Sequence, residues 1–119
     1  MSESVAIVLT VHFFVSEAGN EPVRVWLRTL DETDRRSIGA DIKTVQFGWP
    51  LGMPLVRKLG GNLYEVRIWL AGRIARILFT VAGQQMVLLH GFIKKSRSTP
   101  RDDLALAVER MKRVHKAAK

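Results

Sequence analysis

Two arginines, Arg67 and Arg76, stand on opposite arms of a predicted β-hairpin whose turn signal is Ala71-Gly72. With that dipeptide as the turn, Leu70 faces Arg73, Val66 faces Ile77, and Arg67 faces Arg76, so two guanidinium groups lie side by side. Strand alternation sets Tyr64, Val66, Ile68 and Leu70 on the core side and Glu65, Arg67 and Trp69 on the outward side. Like charges directly opposite each other are mildly destabilising unless an anion sits between them, and a phosphate meets that need. A second turn at Gly83-Gln84 sets Arg76 opposite Gly91, and glycine inside a strand often marks the close approach of a ligand. Directly after the last strand come Lys94, Lys95 and Arg97, near the turn that carries Arg73, while Trp69 supplies a ring on which a base can stack. The competing explanation is that Arg67 pairs with Glu65 or a helix carboxylate and merely covers the sheet.

Other chemistries find little support. The chain has no cysteine, and His12, His90 and His115 lack metal-ligand spacing, so neither a metal site nor a cofactor is expected. His90 is the histidine placed to act, although the same register sets it with Ile77 on the core side; His12, in a buried strand, and His115, near the chain's end, are read as non-functional. Charge points to a polyanionic partner: the net charge is +8, with −2 over residues 1–50 and +10 over residues 51–119. A basic surface kept for solubility is the plainer alternative.

The elements that must position these residues follow from periodicity. At 119 residues one α+β domain spanning 1–119 is expected. Val5 to Val11 reads as a strand, and that region's apolar run, broken by Thr10 and His12, is too short for a membrane helix, so a cytoplasmic location is expected. Asn20 and Pro22 open a first helix with Val23, Trp26, Leu27 and Leu30 at helical spacing; Asp31 opens a second, carrying Ile38, Ile42, Val45 and Trp49 until Gly48 and Pro50 stop it. The two are expected to pack as an antiparallel hairpin. From Leu55 the period becomes two, over Leu55–Leu59, Leu63–Leu70, Arg73–Val81 and Met86–Ile93, which predicts an antiparallel meander. Thr99, Pro100 and Asp102 then announce a last helix with Leu104, Val108 and Met111 on one face.

The stretches Leu51-Gly52-Met53-Pro54, Arg57-Lys58-Leu59-Gly60-Gly61-Asn62-Leu63-Tyr64-Glu65-Val66-Arg67, Arg73-Ile74-Ala75-Arg76, and Leu89-His90-Gly91-Phe92-Ile93-Lys94-Lys95 through Thr99-Pro100 closely resemble the phage-derived HigB-like branch of the RelE/ParE toxin superfamily. The resemblance implies a RelE-like α+β fold: two antiparallel N-terminal helices packed on a small, mainly antiparallel sheet, with a C-terminal helix. It also implies a toxin of a type II toxin–antitoxin system that inhibits translation as a metal-independent endoribonuclease (an mRNA interferase). Its partners would be messenger RNA in the ribosomal A site and a cognate helix-turn-helix, HigA-like antitoxin, with no membrane role. Such cleavage uses the RNA's own 2′-hydroxyl, a base, cations on the pentacovalent intermediate and an acid for the leaving oxygen. On this basis Arg67 and Arg76 are assigned to transition-state charge, and Lys94 or Lys95 to proton transfer. Arg73, Arg97, Arg57 and Lys58 are assigned to phosphate binding, Trp69 to base stacking, and His90 stands as a further candidate. The alternatives are a ParE-like inhibitor of DNA gyrase, a non-catalytic RNA-binding phage-derived protein, and an inactive remnant that binds only its antitoxin.

Overall fold

A computed structural model describes residues 8–94 and 99–118. The chain enters on a short strand, β1 (Thr10–Phe13), followed by helices α1 (Pro22–Arg28) and α2 (Glu32–Gly48), strands β2 (Val56–Gly60), β3 (Leu63–Leu70), β4 (Arg73–Ala82) and β5 (Gln85–Lys94), and helix α3 (Arg101–Ala117). The sheet has the order β1-β5-β4-β3-β2; β2 to β5 run antiparallel to their sequence neighbours, whereas β1 lies parallel to β5.

This architecture corrects the RelE-like arrangement expected above. The sheet is mixed and five-stranded, with the leading strand β1 parallel to β5 at its edge, and the two early helices do not form a packed pair. Instead α1 lies on β5 and α2 on β3. The physical reason is the inequality of the helices: α1 has 7 residues and α2 has 17, so each finds its own strand to cover. The caps shift too. Asn20 does not cap α1; Glu21 occupies that position with its carboxylate on Arg24 at 2.9 Å. Asp31 does cap α2, accepting a hydrogen bond from the Asp34 amide at 3.0 Å.

Hydrophobic residues collect on both sheet faces. On one face Val23, Ile38, Ile42 and Val45 from the first two helices close over Val66, Ile68, Ile77 and Leu88. There the rings of Trp49, Tyr64 and Phe79 meet, Trp49 edge-on to Tyr64 at 4.8 Å and Tyr64 stacked on Phe79 at 5.5 Å. On the other face Leu104, Ala107, Val108 and Met111 of α3 cover Leu63, Leu78, Val87 and Leu89. Among the described residues no helix is long and apolar enough to cross a membrane.

Candidate nucleic-acid interface

Among the described residues the α3 side of the sheet is only partly covered, and its open part carries Trp69 and, half-buried, Arg67. Because Ala71 and Gly72 form the turn, with Gly72 at φ +69° where glycine carries no steric penalty, Leu70 pairs with Arg73 and Arg67 with Arg76. Arg67 is half-buried, and next along β3 on the same face Trp69 is 68% exposed, an unshielded indole beside a guanidinium. Arg57 of β2 pairs with Glu65 and so shares this face at its edge.

Arg76 departs from its expected outward position: it is completely buried. Its Nη1 lies 3.9 Å from Oε2 of Glu65, itself completely buried, and the same Oε2 accepts a hydrogen bond from the Thr99 hydroxyl at 2.7 Å. Two buried opposite charges on adjacent strands compensate for the loss of solvent, which neither could bear alone. Thr99 therefore serves Glu65, not the start of α3, whose cap position is taken by Pro100 without a side-chain bond. In place of a pair of exposed arginines there is one half-buried arginine, Arg67, beside a buried Arg76–Glu65 ion pair.

Other expected members are placed elsewhere. Arg73 turns to the opposite face and clamps Asp34 of α2, its Nη2 at 3.0 and 2.8 Å from the two carboxylate oxygens, so it ties sheet to helix away from the face that carries Arg67. Lys58, one residue beyond Arg57, pairs with Tyr64 and belongs with the face that α1 and α2 cover. Gly91 lies opposite Ile77, not Arg76, and its missing side chain is filled by Trp26 of α1, since a Cβ there would meet the indole at 2.5 Å. It is a packing glycine, not a ligand floor. Lys94 ends β5 opposite Ile74, while Lys95 and Arg97 lie outside the described residues.

The source of the Gly91 error is a β-bulge. Between Leu78 and Phe79 the register on β5 slips, Leu78 pairing with His90 and Phe79 with Leu88, so that Leu89 is the extra residue. Leu89 packs into the α3-side core. His90 consequently falls on the α3 side with Arg67 and Arg76, reversing the core-side position expected for it. There its Nε2 stands 2.5 Å from Oδ1 of Asp103, in the first turn of α3. Arg110 of α3 donates to the Leu89 carbonyl at 2.7 Å, satisfying a group that the bulge takes out of the ladder. Burial lowers the Arg110 pKa from its ordinary value, against an opposing pull from Glu109.

Sequence reasoning missed Asp103 and Arg110 as parts of this region; it set Glu65 on this face but as a partner for Arg67, whereas Glu65 pairs with Arg76. One signal was present: Met86-Val87-Leu88-Leu89 is an unbroken apolar run, with Met86 and Leu88 buried on one face and Val87 and Leu89 on the other. Among the described residues no cluster of three or more His, Asp or Glu side chains is grouped to hold a metal ion. What the region offers is a half-buried arginine and an exposed indole for a phosphate and a base, with a carboxylate-bound imidazole on the same face. The family model described as "Phage derived protein Gp49-like (DUF891)" matches residues 25–112. No curated protein matches the chain.

Proposed function

The chain belongs to the phage-derived Gp49-like family, which is associated with the toxins of the RelE/HigB superfamily, and from that premise we propose that it is the toxin of a type II toxin–antitoxin system, of the HigB kind, that cleaves messenger RNA in the ribosomal A site. The observation that carries this reading is Arg67 beside the exposed Trp69 on the uncovered part of the sheet, directly opposite the buried charge of Arg76. A partly desolvated guanidinium binds a phosphate more strongly than a fully solvated one. Trp69 accepts a base by stacking. Arg67 thus neutralises charge that develops on the phosphate as the 2′-oxygen attacks it, and the basic surface of the chain's second half gathers the polyanion. A helix-turn-helix antitoxin with an acidic segment over the same face is the matching means of control.

The test is cleavage by purified protein of a messenger bound to ribosomes, mapped by primer extension, with and without a chelator. Cuts that persist in chelator and leave a 5′-hydroxyl are expected. Arg67→Ala should lower turnover on the order of 10²–10³-fold, as when one donor to a developing oxyanion is lost. Growth arrest by the induced protein with messenger RNA left intact would refute cleavage, and inhibition of DNA supercoiling in a parallel assay would then identify gyrase as the target.

A further inference from the structure

We propose that the β1 edge of the sheet pairs with the β1 edge of a second copy of this chain, joining two sheets across a two-fold axis at His12, an interface that does not depend on the RNA-cleavage reading. The two edges of the sheet are built differently. β2 carries the devices that keep an edge strand from pairing: Arg57 and Lys58 are exposed on it, and its register slips between Lys58 and Gly60. β1 has neither charge nor register slip. From Val5 to Ser16 the sequence contains no Asp, Glu, Lys or Arg, and Val8 and Val15, which flank the strand, are 48% and 54% exposed.

The free backbone groups of β1 follow from its pairing. In the parallel ladder with β5, the Thr10 amide donates to the Gln84 carbonyl at 2.8 Å and the Phe14 amide to the Leu88 carbonyl at 2.9 Å. Strand alternation gives His12 the same direction, so the amides and carbonyls of Val11 and Phe13 point away from the sheet. Among the described residues β5 is the one strand beside β1. A bond of 2.9 Å from the Leu9 amide to the Gln46 carbonyl ties the start of the strand to α2, which holds the edge in place. The groove between β1 and the last turns of α3, lined by Phe14, Val87, Val114 and Lys116, leaves the strand approachable from the α3 side.

An antiparallel copy of β1 satisfies these groups in one register. With Val11 opposite Phe13 of the second copy, and Phe13 opposite its Val11, each pair exchanges two hydrogen bonds and every free amide and carbonyl of both strands is used. His12 then faces its own copy across the axis, at a pair without backbone bonds, where the Cα atoms are about 4.5 Å apart. His12, expected inside a buried strand, is instead exposed, its Nε2 3.0 Å from the Thr10 hydroxyl, so two imidazoles meet there without disturbing the core. Charge selects the occupant. An uncharged strand offers a phosphate no cation, whereas a strand that is itself uncharged and apolar fits it, and β1 is such a strand. The edge belongs to the half of the chain with net −2, and β3, which carries Arg67, lies three strands away, so pairing here keeps the most basic parts of two copies apart.

Sedimentation of the full chain over a concentration series should show a monomer–dimer equilibrium. Val11→Pro removes an amide that points off the sheet, so the β1–β5 ladder stays whole while two intermolecular bonds are lost, and the dissociation constant should rise on the order of tenfold or more. Urea unfolding of the dilute protein should be unchanged. If that variant unfolds early, His12→Lys, at an exposed position, takes its place: like charges on the axis should weaken association, and mixing with His12→Glu should restore it. Because the chain has no cysteine, His12→Cys supplies one thiol, which mild oxidation should join to its copy, since the spacing suits a disulfide. Val11→Cys, diagonal to its copy, should cross-link poorly. A wild-type chain that stays monomeric at every concentration overturns the proposal and leaves the edge to a strand of a different protein. A dimer that folded Val11→Pro and His12→Lys leave intact, or one that Val11→Cys cross-links better than His12→Cys, overturns it as well. Val11→Pro should still cleave ribosome-bound messenger like the wild type, so failure of this interface and failure of the RNA reading are separate results.

Discussion

Arg76 shows how a single residue can be read correctly for its neighbour and wrongly for its surroundings. Its pairing with Arg67 follows from a two-residue turn, the most local of signals, and the structure has that register. Its burial depends on Glu65 and on Thr99, at the far end of the following loop, and no local rule connects those three positions. The energetic consequence is specific. Arg76→Met leaves the Glu65 carboxylate buried without its counter-charge, and breaking a buried pair from one side typically costs about 3–5 kcal/mol. Adding Glu65→Gln to that variant removes the stranded charge and should recover a substantial part of the loss. Urea unfolding of the two single variants and the double variant measures this as a coupling energy. Additive losses would mean that the 3.9 Å separation is too long to matter.

Elements were legible where their period was unbroken and opaque where two of them had to meet. The meander from β2 to β5 and the amphipathic α3 are written in alternation and helical spacing. The parallel pairing of β1 with β5 is not, because it joins residues more than seventy positions apart with no turn to set the register. The bulge in β5 was lost for a related reason: one extra residue leaves composition unchanged yet sends every later side chain to the other face, and Gly91 and His90 were misplaced together. Gly91 also shows what the corrected register is for. With no Cβ it lets the Trp26 indole of α1 rest on β5, and a methyl there would come within 2.5 Å of the ring. Since a fused aromatic ring cannot bend away, Gly91→Ala must displace α1 or the strand, at a cost of about 1–3 kcal/mol. Chemical denaturation should show that loss, and Trp26→Leu in the same background should relieve part of it. An unchanged midpoint for Gly91→Ala would mean that α1 is not held where the structure has it.

Over the whole molecule, the charge asymmetry of the sequence becomes an asymmetry of faces. The segment with net −2 supplies β1 and the two helices that cover one side of the sheet, while the segment with +10 supplies β2 to β5 and α3. The resulting field is sequence-independent and suits a polyanion drawn first by charge and then placed by particular contacts. That division gives two arginines of one hairpin, Arg67 within β3 and Arg73 beside the turn, opposite fates. Arg67 lies half-buried on the uncovered part of the α3 side, whereas Arg73 is held by Asp34 on the other side. Binding of a short single-stranded RNA should therefore weaken steeply with salt, the logarithm of the association constant falling linearly with the logarithm of salt concentration by about 0.7 for each phosphate neutralised. Arg67→Gln removes one such contact and should lessen the slope by about 0.7. Arg73→Gln removes the same formal charge but breaks only an internal tie, so it should cost stability and leave the slope as it was. Fluorescence anisotropy over a salt series resolves the difference, and equal changes for the two variants would mean that RNA answers to total charge alone and not to the uncovered part of the sheet.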